Sequence, residues 1–367
     1  MKIFYNAYTC KYNLGDIIIN KLQIEEYAKY GEVYVDCTNM PAYFKHIILD
    51  NNNVKDFAKE YNSSYRSIRM FSIIKLLKKE GFTHFTKSPG PYAILKLPFK
   101  TLIIRIIGMI GYLYAKKLGM KVMAVGIDLD YKTNNKNWLV KCNKKYFSQY
   151  DCLMVRSLEN YNLLKNELTN IKYIPDMAFL YTQKNNNHTK SHKRVAFSFR
   201  ANTEKIFLIS ILKDISLILT NEGYIIDVIY QVKEDESISR YIYSNLKNNQ
   251  LNIDIRELRY EDLNKYADYD FVFSNRLHVL LMAAAFGAIP FGLLNKSNTK
   301  IINIFNCSFS DELWCYMSNW DNKILFRLIS NAENLKKHIN IDFEANQKKC
   351  QQIFSSICGS GIQHSFI

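Results

Sequence analysis

The sequence predicts an α/β protein built as two domains facing each other across a cleft. Three observations carry this. Short apolar runs alternate with segments of helical apolar spacing along most of the chain, the pattern of βαβ units and parallel sheets. The alternation is interrupted at Gln183 to Lys193 (QKNNNHTKSHK), a polar, basic stretch without periodicity, and restarts at Arg194. A chain of 367 residues is also too long for one ordinary core and comfortable for two. The expected division is an N-terminal domain over 1–182, a linker over 183–193, a C-terminal domain over 194–340, and a terminal helix over 341–367 packing back toward the first domain.

The elements follow in order. Lys2 to Tyr5 reads as a strand, Asn13-Leu-Gly-Asp16 as a polar loop, and Ile17 to about Tyr30 as a helix that Asp16 can cap. Glu32 to Cys37 is a second strand, and Pro41 to Asn62 carries weak signals with a loop at Asn51 to Asn53. Ser67 to Lys79 is amphipathic, Phe82 to Thr86 strand-like, and Ser88-Pro-Gly-Pro91 breaks the chain. Thr101 to Ala115 is almost wholly apolar, yet shorter than the roughly 20 residues that span a bilayer, and Arg105 interrupts it. Two readings stay open for it: a buried helix between strands, or an interfacial helix flanked by Lys96, Lys100, Lys116 and Lys117 on anionic lipid. Strands are expected at Lys121 to Gly126, Asp151 to Val155 and Lys172 to Ile174, with a helix over Leu158 to Leu168.

The second series runs strand to Phe199, helix Glu204 to Thr220, strand Tyr224 to Tyr230, helix Glu236 to Asn248, strand Leu251 to Ile255, and helix Tyr260 to Ala267. Phe271 to Phe273 and Pro290 to Leu293 are strands around an apolar helix, and helices are expected at Thr299 to Phe305, Asn322 to His338 and Asp342 to Ile357.

Composition bounds the function. Hydrophobic content of 48% with 14% aromatics describes a globular protein, and a formal charge of +15 calls for an acidic partner. Nucleic acid is not expected, because there is neither zinc-finger spacing nor a compact basic–aromatic repeat. The eight cysteines show no C-x-x-C pair and no Cys/His ligand spacing, which argues against zinc and a disulfide framework and fits a reduced cytoplasm. The opening Met-Lys-Ile-Phe-Tyr lacks a basic-then-apolar leader, so a cytoplasmic protein is expected.

The chemistry concentrates where a strand ends and a helix begins. Ser274, Asn275, Arg276 and His278 follow Phe271 to Phe273, and the residues from there to Gly287 are apolar or small. Such a place in an open α/β sheet is where ligands sit, and unpaired helix N–H groups favour an anion. Arg200, at the end of the first strand of the second domain, faces the same sheet edge. Guanidinium groups there can grip a carboxylate or phosphate, and an imidazole can move a proton at neutral pH. The plainer alternative is that Arg276 pairs with a carboxylate and His278 caps the helix. Arg156 ends a first-domain strand and is either a wall of the site or a surface arginine; Asn13, Gly15 and Asp16 are either ligand contacts or an ordinary helix start.

The run Asn275 to Pro290, with Arg276-x-His278, an apolar helix and Gly287-Ala-Ile-Pro290, resembles the polysaccharide pyruvyl transferase family. Asn13-Leu-Gly-Asp16, Val155-Arg-Ser, Pro175-Asp-Met-Ala-Phe179 and Val195-Ala-Phe-Ser-Phe-Arg200 resemble further family motifs and occur in the family's order. The sequence departs from the pattern at Pro89-Gly-Pro91, at Gly126-Ile-Asp-Leu-Asp130 and at Ser157, where an acidic residue is usual. The resemblance implies two Rossmann-like domains in the GT-B glycosyltransferase arrangement. It also implies transfer of pyruvate from phosphoenolpyruvate onto two hydroxyls of one sugar of a cell-surface polysaccharide precursor (capsule, exopolysaccharide or O-antigen), giving a cyclic ketal. In that reading His278 is the acid/base, with Arg276 beside it as a catalytic group. Arg200, Arg276, Ser274 and Asn275 hold the donor, and Asn13, Gly15, Asp16 and Arg156 stand on the acceptor side. Phosphoenolpyruvate is a co-substrate, with no cofactor or metal called for. The acceptor is expected to be lipid-linked or nucleotide-linked, with peripheral contact to the anionic inner face of the cell membrane. The alternative is a nucleotide-sugar-dependent GT-B glycosyltransferase of polysaccharide biosynthesis. Many of those carry a glutamate for the donor ribose where this chain has Met282, which cannot accept the hydroxyl hydrogen bonds.

Overall fold

The computed structural model describes residues 1–8, 13–65, 69–93, 99–130, 144–182, 193–247 and 253–359. Apart from Lys193, the expected linker lies outside the described residues. The chain divides into two compact units, one of residues 1–11, 16–180 and 349–367, the other of 12–15 and 181–348. Residues 12–15 therefore group with the second unit, and the division in the terminal helix lies at 348/349.

The first unit is a parallel sheet of β1 (Lys2–Asn6), β2 (Glu32–Asp36), β3 (Val54–Asp56), β4 (His84–Lys87), β5 (Gly90–Ala93), β6 (Lys121–Asp130), β7 (Cys152–Val155) and β8 (Ile171–Tyr173). Their order is β3-β2-β1-β4-β6-β7-β8, with β5 paired to β6 off this path. Between them run α1 (Leu14–Ala28), α2 (Ala42–Ile48), α3 (Phe57–Tyr61), α4 (Met70–Lys79), α5 (Phe99–Lys117) and α6 (Leu158–Leu164). Ile3, Phe4 and Tyr5 are all fully buried. Covering on both faces is why central strands of this kind read as unbroken apolar runs.

Four expectations change here. Residues 41–62 hold α2, β3 and α3. Gly90–Ala93 continues as a strand where a break was expected; pairing with β6 alone leaves Pro91 its missing N–H at no cost to a second ladder. β6 runs on to Asp130 through a register shift between Ala124 and Ile127, at which Gly126 takes φ +71°, a left-handed backbone that glycine adopts without strain. Asp16 sits inside the first turn of α1 and does not cap it; the helix starts at Leu14, and the Asn13 side-chain oxygen accepts the Gly15 N–H at 3.1 Å.

The second unit is a parallel sheet of β9 (Arg194–Ser198), β10 (Ile225–Tyr230), β11 (Ile253–Glu257), β12 (Phe271–Ser274), β13 (Ile289–Leu294) and β14 (Trp314–Tyr316), in the order β11-β10-β9-β12-β13-β14. Its helices are α7 (Lys205–Asn221), α8 (Glu236–Lys247), α9 (Leu277–Ala285), α10 (Thr299–Ser308), α11 (Asn322–Ser330) and α12 (Ala332–Cys358), the last ending in the first unit. Tyr260–Asp268 is 3-10 helix where an α-helix was expected. The break near the C-terminus falls at Asn331, so α12 passes unbroken through residues 339–341. Among the described residues no helix is long and apolar enough to cross a membrane.

Each sheet lays its strands in the Rossmann manner. The direction of succession reverses between β1 and β4 in one and between β9 and β12 in the other. The carboxyl ends of those strand pairs are the switch points where such sheets bind ligands.

Candidate active site at the second switch point

β9 and β12 pair in register to Ser198 and Ser274, so the loops that leave them start side by side. Ser274, fully buried, donates to the Ser198 carbonyl at 2.6 Å and accepts the Arg276 N–H at 2.9 Å, which turns the chain sharply into α9. Asn275, also buried, binds the other loop. Its side-chain oxygen accepts the Arg200 N–H at 2.9 Å, its amide donates to Thr203 Oγ1 at 2.8 Å, and that hydroxyl donates to the Arg200 carbonyl at 2.7 Å. Ser274 and Asn275, expected to touch the donor, are thus engaged in building the loops that present the arginines. Arg200 itself is exposed, and its Nε donates to the Asn275 carbonyl at 3.3 Å.

Arg276 takes the carboxylate partner that the plainer reading allowed. Its Nε pairs with Asp235, a buried residue of the short turn after β10 whose other oxygen accepts the Ala201 N–H at 2.9 Å. One carboxylate therefore aligns the guanidinium and ties down the loop of Arg200. Neither Asp235 nor Thr203 was found in the sequence. Lys233-Glu-Asp-Glu236 reads as the acidic start of any helix, and only the fold brings it beneath Arg276.

Arg276 is the residue before α9, and its own side chain makes no cap to that helix. The start of a helix favours an anion. His278 lies in the first turn, half-buried, with Nε2 buried. Gly15 packs on the imidazole: a Cβ at that position would stand 2.8 Å from His278 Cγ. Asn13 bridges to Val232, just past the end of β10. Asn13 and Gly15, expected on the acceptor side, therefore group with the second unit and the histidine, whereas Asp16 groups with the first unit. From Val279 to Ala284 α9 is buried, which anchors its polar end. A depression of about 290 Å³, lined by Ala284, Ala285, Gly287 and Gln347 among others, lies at the opposite end of this helix, roughly 13 Å from His278 by helical rise.

The first switch point differs. Lys87, at the end of β4, is buried beneath the rings of Tyr92, Tyr150 and Tyr146, with Nζ 3.8, 4.9 and 5.6 Å from their centroids. Burial pushes its ammonium below the usual lysine range, and Tyr146 partly offsets this. Ser88 donates to Asn20 Oδ1 at 2.6 Å and accepts the Tyr8 N–H at 2.6 Å. Arg156 is not the surface arginine that the plainer reading expected. Its side chain is buried, Nη1 donates to Asp176 Oδ2 at 2.7 Å, and Nη2 lies 3.8 Å from Asp128. Ser157 beside it caps α6 through the Asn160 N–H.

The second switch point thus gathers two guanidinium groups, a helix start and an imidazole, group types that bind anions and move protons. The fold has solved relatives. The chain is similar to UDP-GlcNAc 2-epimerase from Neisseria meningitidis bound to UDP-GlcNAc, at TM-score 0.63 and 13% identity over 97% of this chain and 99% of that one. It is similar to Anabaena Alr3699/HepE in complex with UDP, at TM-score 0.62 and 10% identity over 97% and 99%. A glycosyltransferase from Rickettsia africae matches at TM-score 0.62 and 13% identity over 98% and 99%. At such identities the likeness establishes a GT-B-like fold. No curated protein matches the chain. The family model described as polysaccharide pyruvyl transferase matches residues 13–297, from the Asn13 loop past β13, and the chain belongs to that family.

Proposed function

We propose that the protein transfers the enolpyruvyl unit of phosphoenolpyruvate to a sugar of a surface-polysaccharide precursor, closing a cyclic pyruvate ketal. The observation that carries this reading is the gathering of Arg200 and Arg276 with the start of α9 and His278 at one switch point, in a chain of this family. Phosphoenolpyruvate has a carboxylate and a phosphate, and the site offers separate cationic partners for each.

The chemistry follows from the donor. Proton delivery to the methylene carbon makes the adjacent carbon electrophilic; a sugar hydroxyl adds to it and gives up its proton. Phosphate then leaves with its bridging oxygen, and a second hydroxyl of the same sugar adds and loses its proton to close the ketal. In this reading His278 carries the protons, and Arg276, held by Asp235, stabilises the departing phosphate without reorganising. Gly15 leaves the space that the imidazole occupies, which a Cβ would fill.

A second reading, nucleotide-sugar transfer, draws on the UDP and UDP-GlcNAc named in the solved relatives. Met282, the position that would meet a donor ribose, is fully buried core here and offers no acceptor to a hydroxyl. The test is to incubate the protein with phosphoenolpyruvate and lipid-linked or nucleotide-linked sugars and follow the products by mass spectrometry. The expected result is acceptor-dependent phosphate release with a pyruvate ketal on the sugar. Sugar transfer from a nucleotide donor without a ketal would select the second reading.

A further inference from the structure

The helix read from sequence as an almost wholly apolar run is only half covered. On one side α5 packs into the unit: Tyr112 and Ala115 are buried, and Gly111 lies against Met70 of α4. On the other, Ile103, Ile106, Ile110 and Leu113 stand in solvent, and with Phe71 of α4 they are 41–46% exposed. The spacing of three, four and three residues puts the four aliphatics in one stripe about 15 Å long. Exposed Lys117 continues that stripe at its C-terminal end. Phe71 joins it from the side, its ring 5.8 Å from that of Tyr114, and Lys75 and Lys78 follow Phe71 on the same face of α4.

Charge identifies the occupant. The segments MFSIIKLLKK and FKTLIIRIIGMIGYLYAKK hold three and four basic residues and no acidic one. A second copy seated on this face by two-fold symmetry would set lysines against lysines. An anionic bilayer offers headgroup charge to the lysines and acyl chains to the isoleucines. We propose that the α4–α5 face docks the protein on an anionic lipid surface, with Ile103, Ile106, Ile110, Leu113 and Phe71 entering the headgroup boundary and Lys75, Lys78 and Lys117 resting on it. The proposal stands independently of the chemistry assigned to the second unit.

Co-sedimentation with vesicles of phosphatidylcholine, with and without phosphatidylglycerol, tests it. The wild type is expected to bind only the anionic vesicles and to be released by high salt. I106Q/I110Q should bind them at least about ten-fold more weakly, through lost apolar burial. K75Q/K78Q should lose about five-fold for each lysine removed. All four positions are exposed, so both variants should melt with the wild type, and either alone decides the matter should the other misfold. Wild-type affinity in a folded variant, equal binding to neutral vesicles, or no binding would overturn the proposal. So would a lipid-free wild-type dimer that I106Q/I110Q makes monomeric, which would give this face to a second copy.

Discussion

The two sheets begin with the same strand succession and end their switch points differently. At β1/β4 the cationic group, Lys87, is folded under tyrosine rings, and Arg156, after β7 of the same sheet, has Asp176 and Asp128 beside it. At β9/β12 Arg200 is exposed, Arg276 is held from one side by Asp235, and His278 stands in the first turn of α9. The backbone arrangement is shared, so it does not decide where an anion binds. What differs is how far the cationic groups at the strand ends are covered. Arg156 is buried with one hydrogen-bonded carboxylate, Asp176, and a second, Asp128, at 3.8 Å, whereas Arg276 is oriented by Asp235.

Substitutions can break that comparison. His278→Ala should produce the largest effect, a fall in turnover of roughly 10²–10⁴-fold with the KM for phosphoenolpyruvate changed little, measured by steady-state phosphate release. Arg156→Ala should instead cost about 3–5 kcal/mol of stability in denaturant unfolding, because Asp176 is left buried without its cation, while the KM for phosphoenolpyruvate stays near wild type wherever the protein remains folded. A selective loss of donor affinity in this variant would erase the distinction between the two regions.

The smallest effect concerns pH. Burial pushes His84, at the start of β4, down to about 4, with Lys121 adding to the shift. Below about pH 6.5 the unfolded chain takes up a proton that the folded chain refuses until about pH 4. Stability is therefore full above that window and is lost as pH falls through it, by at most about 1.4 kcal/mol per pH unit from this group. His84→Gln should flatten that part of the stability profile in urea titrations.

Much of this was legible in the sequence because the sheet cores are long apolar runs and the helices between them are periodic. The Phe271 to Leu293 stretch was readable for the same reason: its polar residues are confined to one turn. Short elements were not readable. β14 has three residues, too few for alternation to register, and β5 was hidden behind two prolines that a singly paired strand tolerates. The supporting residues of the site were hidden for another reason. Asp235 and Thr203 meet Arg276, Ala201 and Asn275 only through parallel pairing of β9 with β10 and β12, and Gly15 reaches His278 from a distant part of the sequence. Local pattern carries no record of such contacts. The same limit applied to Arg156, whose place at a strand end looked like that of Arg200 until burial separated them.

The central claim is that the second switch point is a site for phosphoenolpyruvate. Calorimetric titration of that ligand into wild type, Arg200→Ala and Arg276→Ala tests it most directly. The account predicts saturable binding to the wild type, weaker by roughly 10–10²-fold in each variant as one charged contact is lost, and no competition from UDP. Binding that is unaffected by both substitutions, or tight binding of UDP with none of phosphoenolpyruvate, would contradict it.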